Sequence, residues 1–575
     1  MEPARDEGPH EALPACAMEY IARVTRMVRY RRRARAAVGA ELTAHFEDAL
    51  RDCESSSHRE AKARELIEQF GDPKLLAVLC RRAKKRCLPL WRRVGIRAVQ
   101  VIGVFLVYAL ICSGQLFVGT PKVAIDYLVR LSDQARAGRE ESLNAKPTID
   151  RAAETASVGF LATKLGASID SFWPADMNES QRQMVAQMLA DNADAFDLLA
   201  RGVAKPYYWT DYCSTGQGQS SELTALGMLG TIASNHEQGV SSSGGFGDYA
   251  FSSIRLSMHN GERSSLNRYK ELSRLLSRRV GWRAGHGDVE GAWQDGLVLQ
   301  SFGWHLEGQG SITEQLVGVA IDALGMSMMH RLLSRIEISS EQLLRAQEKL
   351  AERLGAENAP FGLAWERAVL YDLVQRTFTD DGRGNGRPLE PALPLVASDW
   401  EESLLGAVTF SYPSRKEMMQ RIDRFYDQME FLLREEPWKV GSRTGSDSLR
   451  DVAGDSFILE MLADQCGRMV QLAWRLRTDQ RALMAVLGVL RYRQDRGAYP
   501  ESLDVLLTEG YLTELPVDPY SGRPFIYRKT ADGFILYSWG TDRKDDSGQP
   551  GVRYDGRPMP LWSEDGDWIF WPQAD

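Results

Sequence analysis

"AVQVIGVFLVYALICSGQLFVGTP", residues 98–121, holds no charged side chain over 24 positions. At a helical rise of about 1.5 Å per residue, roughly 20 of these span a hydrocarbon core of about 30 Å. The stretch therefore predicts a transmembrane anchor over residues 94–121, touching membrane lipid through residues 98–118. Its flanks are asymmetric: "RRAKKRCLPLWRRVGIR", residues 81–97, places eight basic side chains before the span, and the next charge after it is Lys122. Such a bias keeps the basic side in the cytoplasm. The expected topology is a bacterial inner-membrane protein with a cytoplasmic N-terminus and residues 122–575 extracytoplasmic. An apolar stretch that begins after about a hundred residues does not read as a cleaved signal peptide.

Charge divides the chain at the same place. Residues 1–97 hold 21 Lys+Arg against 14 Asp+Glu, a balance of +7, whereas the remainder holds 49 against 64, a balance of −15. The basic runs "RYRRRAR" and "RRAKKR" suit orientation and contact with anionic headgroups. Neither a helix-turn-helix pattern nor aromatic interleaving accompanies them, so no nucleic-acid partner is expected. Of the seven cysteines, only Cys213 and Cys466 lie beyond the span. They could form one disulfide or stay as two thiols. There is no C-x-x-C pair to suggest a zinc ribbon or a redox site.

The fold class expected is mainly α, in four parts. Residues 1–93 read as a cytoplasmic basic helical domain with apolar positions Leu66, Ile67, Phe70, Leu75, Leu76 and Leu79, interrupted by Gly71 as a C-cap and Pro73 as a helix start. The stretches "ELTAHFEDAL" and "EAKARELIEQFGDPKLLAVL" resemble the small helical prefix domains of bacterial membrane proteins. Residues 94–121 are the anchor. Residues 122–475 carry helical periodicity throughout, with capping-box spacing at Asn178 and Gln181 and at Ser311 and Glu314. Many helices with short connections suggest a solenoid- or toroid-like ectodomain. Asp322 and Arg331 argue against a second span in the apolar run 311–336, and the Gly/Ser-rich stretch 214–247 reads as a mobile loop.

The ectodomain lacks G-x-S-x-G, H-E-x-x-H and G-x-x-x-x-G-K-[ST]. A cluster of His286, Glu290, His305 and Glu307 could converge if two neighbouring helices pack antiparallel. The acidic loop "TDDGRGNGR", residues 379–387, offers Asp380, Asp381 and Asn385 to a cation without the order of an EF-hand. Aromatic "KPYYWTDY" (205–212) reads as helix-packing core before it reads as a sugar groove.

Residues 476–575 change character: a helix stopped near Gly497, a short proline-started helix, two strands joined by "TADG", and a third strand in "DWIFWP". This is a small α+β module. The run "YRQDRGAYPESLDVLLTEGYLTELPVDPYSGRPFIYR", followed by "ILYSWGTD", resembles the globular domain of the major, G-type pseudopilins of type II secretion over about 75 residues. That resemblance implies a structural calcium ion in the loop after the second strand, with Asp542 matching the family's aspartate, Trp539 at the carbonyl donor, and Asp545 or Asp546 as a later acidic ligand. Ser547 adds a further oxygen suited to a hard cation. The 27 residues between Trp539 and Asp567 make a long loop that an ion could order. The chain departs from the family in having no pseudopilin leader, and its membrane helix lies far from the matching module.

Two functions follow as expectations. The first is a single-pass envelope protein whose ectodomain binds a protein partner, scaffolds or senses without catalysis. The second is a membrane-anchored, glycan-active hydrolase using Glu290, Glu307 or Asp322 as acid/base groups.

Overall fold

In the computed structural model of the chain, Gly71 adopts φ +72° at the end of one helix and Pro73 opens the next. The structure describes all residues except 1–11, 30–31, 54, 87–89, 158–172, 211–259, 309, 356–360, 390–391, 398–405, 407–410, 442–444, 554 and 573–575. The stretch 214–247 and Cys213 lie outside the described residues. Two compact units are present, Met1–Ile111 and Cys112–Asp575.

The first unit holds α1 (Ala15–Met27), α2 (Arg32–Ala49), α3 (Ser56–Phe70) and α4 (Pro73–Arg86). Their apolar faces meet around Tyr20, Phe46 and Phe70, whose rings lie 5.6–6.4 Å apart. The Tyr20 hydroxyl donates to the Gly71 carbonyl at 3.1 Å, tying α1 to the turn that separates α3 from α4. Leu66, Ile67, Phe70 and Leu76 pack on this core. Leu75 and Leu79 point outward instead, because the break at Gly71 and Pro73 resets the helical phase.

Helix α5 (Leu90–Gly114) contains the uncharged stretch. Its segment Val94–Phe117, continued by a short 3₁₀ turn, is long and apolar enough to cross a membrane, with a mean hydropathy of 2.1 and none of its most apolar window buried by protein. Val104 is 72% exposed and Leu110 75%.

The second unit is mostly helical. In chain order it contains α6 (Tyr127–Arg136), α7 (Lys146–Thr155), α8 (Glu179–Asp191), α9 (Ala193–Val203), α10 (Asn260–Gly285), α11 (Val289–Glu307), α12 (Ile312–Arg335), α13 (Ser340–Gly355), α14 (Ala364–Thr377), α15 (Leu393–Val396), α16 (Arg415–Arg434), α17 (Pro437–Val440), α18 (Gly445–Ala453), α19 (Phe457–Arg496) and α20 (Leu503–Thr508). The capping boxes at Asn178 with Gln181 and at Ser311 with Glu314 are both formed, each satisfying two N–H groups that a helix start leaves open. Helix α12 is also long and apolar, with mean hydropathy 1.4, but 78% of its most apolar window is buried inside the protein. It is a core helix.

Helices α11 and α12 form an antiparallel hairpin of unusually close approach. Gly303 faces Gly318, and a Cβ built on Gly303 would lie 2.4 Å from the Asp322 nitrogen and 2.6 Å from the Gly318 carbonyl oxygen. One built on Gly325 would lie 2.9 Å from the Gln300 nitrogen. Without side chains at these points the two backbones touch, which lets residues beside the glycines meet across the seam.

Helix α19 is 40 residues long and packs against α12, α13, α16 and α18 as well as against the C-terminal strands. The expected boundary at 475/476 falls in its middle, and one apolar core runs from Ala145 to Trp571. Gly497, at φ +72°, ends it as the sequence predicts. Beyond it, β1 (Ile526–Lys529), β2 (Phe534–Ser538) and β5 (Trp568–Trp571) form an antiparallel sheet in the order β1-β2-β5, with a bulge between Leu536 and Tyr537. The third strand is the "DWIFWP" segment. Between β2 and β5 the chain makes a further small ladder, β3 (Gly551–Val552) with β4 (Pro558–Met559).

Candidate functional site

A cleft of about 950 Å³ lies within the second unit, where α11, α13 and α19 meet the segment Gly510–Val517. That volume suits a drug-sized ligand. Its wall is apolar at Leu344, Leu354, Phe361, Met484 and Leu515, and aromatic at Trp304 and Trp474. Its floor is charged.

The floor is a product of the glycine seam. Glu307 is the last residue of α11, and Asp322 stands one residue past mid-seam on α12; they are 1% and 0% exposed. Arg353, from α13, brings Nη1 to 3.8 Å from Asp322 Oδ1 and donates from Nη2 to Ser301 Oγ at 3.2 Å. Gln480, from α19, donates to Asp322 Oδ2 at 3.2 Å. Arg477, one turn earlier on α19, donates to the Leu433 carbonyl and lays its guanidinium 4.6 Å from the Trp474 ring centroid. Behind this group, His330 Nε2 and Asp479 Oδ1 are 2.9 Å apart. Glu307, Arg353, Arg477 and Gln480 line the cleft, whereas Asp322 does not.

Burial sets the charge state here. It pushes the Glu307 carboxyl well above the usual range, with the Asp322 charge adding to this and Arg353 and Arg477 opposing it. Burial also pushes Asp322 up to about 6, against Arg353 and the Gln480 hydrogen bond and with help from Asp479. Two carboxyls in one dry site cannot both ionise cheaply. Burial therefore favours the neutral form of both carboxyls, with Asp322 the one that faces Arg353. Burial first, and then Arg481, lower Arg477 to about 10, so it remains a cation. Four buried atoms here have no hydrogen-bond partner: Glu307 Oε1, Asp322 Oδ1, Arg353 Nη1 and Arg477 Nη2.

The cluster expected from His286, Glu290, His305 and Glu307 does not form. Glu290, His305 and Glu307 lie on the one helix α11, with Glu290 in its first turn and the other two in its last, about 25 Å apart along the axis. Glu290 is exposed and bonded to Gln294 and Gln342, while His286 stacks on Trp282 at 4.3 Å. His305 is buried, with Nε2 3.0 Å from the Val203 carbonyl. In the loop 379–387, Asp380 pairs with Arg415 at 3.5 Å and Asp381 accepts from the Arg383 and Asn385 nitrogens. Those oxygens are spent on the turn. Tyr208 and Trp209 are core residues, 5% and 2% exposed. Cys466 is a buried free thiol.

In the loop after β2, hydrogen bonds to distant parts of the chain help to hold the backbone. Thr541 Oγ1 donates to the Glu564 carbonyl at 3.1 Å, Arg543 Nη2 to the Pro437 carbonyl at 2.6 Å, and Trp568 Nε1 to the Ser563 carbonyl at 2.9 Å. Asp542 Oδ1 accepts from the Lys544 nitrogen at 3.1 Å. Asp545 Oδ1 accepts from Tyr537 at 3.1 Å and from the Ser547 nitrogen at 2.9 Å. Asp546 is exposed, and the Trp539 nitrogen is 3.4 Å from Asp518 Oδ2. Among the described residues no three His, Cys, Asp or Glu side chains converge as a metal cage. One acid was missed by the sequence reading: Asp567 is 0% exposed, accepts from the Gly548 nitrogen at 2.7 Å, and leaves Oδ1 without a partner. Burial, with the Asp545 and Asp546 charges beside it, pushes it up to about 6.

No family model, curated protein or solved structure matches the chain.

Proposed function

We propose that the chain is a single-pass protein of the bacterial inner membrane, with residues 1–93 cytoplasmic, and that its extracytoplasmic part binds a ligand or an envelope partner without catalysis. The observation that carries this reading is that no protein covers the most apolar window of Val94–Phe117, in a chain that buries its other long apolar helix. Uncovered apolar surface of that extent needs lipid. Fusing green fluorescent protein before residue 12 and alkaline phosphatase after residue 125 tests it. Both reporters are expected to be active, and a silent phosphatase with the fluorescent fusion bright would refute the crossing.

Glu307 and Asp322 do come together, which favours a second reading as a glycan hydrolase. Paired-carboxylate hydrolysis, however, needs both groups to reach the scissile bond. Only Glu307 faces the cleft, and Asp322 is fully enclosed behind it. A binding cleft accounts better for a single lining carboxyl near two arginines, with the second carboxyl enclosed.

The C-terminal module, in this reading, is pseudopilin-like and takes calcium in the loop after β2. For that, Asp545 would release Tyr537 or Ser547 and turn with Asp542 and Asp546 toward the unpartnered Asp567 oxygen. Calcium titration of the full chain is expected to raise the melting midpoint of the C-terminal strands, and Asp542→Ala to abolish the rise. An unchanged midpoint in the wild type removes the ion.

A further inference from the structure

The cleft floor has a sign. Arg353 and Arg477 each carry an N–H group with no acceptor, and they flank a Glu307 oxygen that is buried and also unpartnered. Asp322 is enclosed, and burial raises Glu307 well above the usual carboxylate range, so the two guanidinium groups meet little opposing charge at the cleft. The neighbouring Arg481 is balanced by Glu436 at 2.8 Å, and Arg491 is held by uncharged partners, the Gln347 amide at 2.5 Å and the Gly510 carbonyl. Buried donors left without acceptors are costly, so a cleft built this way gains when an acceptor enters.

We propose that the cleft binds a small amphipathic anion, one carboxylate or phosphate seated between Arg353, Arg477 and Glu307, with its apolar body against Trp304, Leu344 and Leu515. This rests on reading the cleft as a ligand site. Two guanidinium forks offer parallel N–H groups matched to the oxygens of either head group. Burial raises the Glu307 carboxyl well above its usual range, which lessens the charge it sets against an anion. Trp304, 39% exposed, and Leu344, also 39% exposed, are large apolar side chains left open at the cleft wall, where an apolar body would cover them.

The test uses the full chain in phosphatidylcholine nanodiscs and calorimetric titration with four probes: 2-naphthoate, 2-naphthyl phosphate, neutral 2-naphthamide and cationic 2-naphthylmethylammonium. At least one anion is expected to bind about tenfold or more tightly than the amide and the cation, the loss expected for one charge-assisted bond. Arg477→Met should remove that preference. Ala351→Trp, at an exposed position on the wall, should block all binding while leaving the fold and its melting intact. If the amide binds as tightly as the anions and Ala351→Trp still blocks it, the cleft is a ligand site and the anion claim is wrong. If no probe binds, the ligand-site reading falls with it.

Discussion

Replacing Arg353 by methionine is expected to destabilise the second unit by about 3–5 kcal/mol at pH 8, because it leaves a fully enclosed Asp322 charge without its cation. The effect carries a pH signature. Asp322 has its folded pKa raised to about 6 from 3.8, so the folded state holds the proton more tightly than the unfolded chain does. Its contribution is most favourable below pH 4 and is lost as pH rises through 6. Removing Arg353 pushes the carboxyl higher still. At pH 5 the carboxyl is then neutral in the folded protein, and the variant should lie much closer to the wild type than at pH 8. Asp322→Asn in the same background should recover most of the loss at pH 8. Urea melts of the three proteins at the two pH values decide it, and a penalty equal at both would mean that methionine fails by packing alone.

The second large effect is expected at the glycine seam. Gly303→Ala places a methyl group 2.4 Å from one backbone atom and 2.6 Å from another, and neither can swing aside as a side chain would. The hairpin of α11 and α12 must separate along its length. Overpacking of this kind costs about 3 kcal/mol, a fall of roughly 3 °C in melting midpoint for a unit of this size. The separation also draws Glu307 away from Asp322, so the pH dependence described above should weaken in the same variant. A midpoint within about 1 °C of wild type would show that the helices have room the distances deny.

What the sequence made legible is what depends on neighbours along the chain. The uncharged run 98–121, the capping pairs at Asn178 and Ser311, the stops at Gly71 and Gly497, and the three strands of the C-terminal sheet all follow from local composition and spacing. The cleft does not. Glu307, Asp322, Arg353 and Arg477 come from four helices, and what unites them is the facing of Gly303 with Gly318 and of Gly325 with Gln300. The signal was present as glycines seven residues apart, at 296 and 303 and again at 318 and 325, in two helices that otherwise read as plain apolar runs. Arg477, Asp479 and Gln480 broke the apolar pattern of α19 in the same way. The loop after β2 was legible only in part: its polar composition points to an ion, whereas the hydrogen bonds of Arg543, Thr541 and the indole of Trp568 that also hold it include partners far away in sequence, which composition does not reveal.

Helix α19, about 60 Å long, meets α18 at Gly467, the β5 residue Trp568 at Arg475, α12 at Gln480 and α13 at Arg491. It has no hinge at residue 475, so cutting there would leave two sticky halves instead of two products. A shift of the sheet at Trp568 would reach Arg477 and Gln480 within two turns of the same helix, and a molecule clamped by those residues would brace the helix against it.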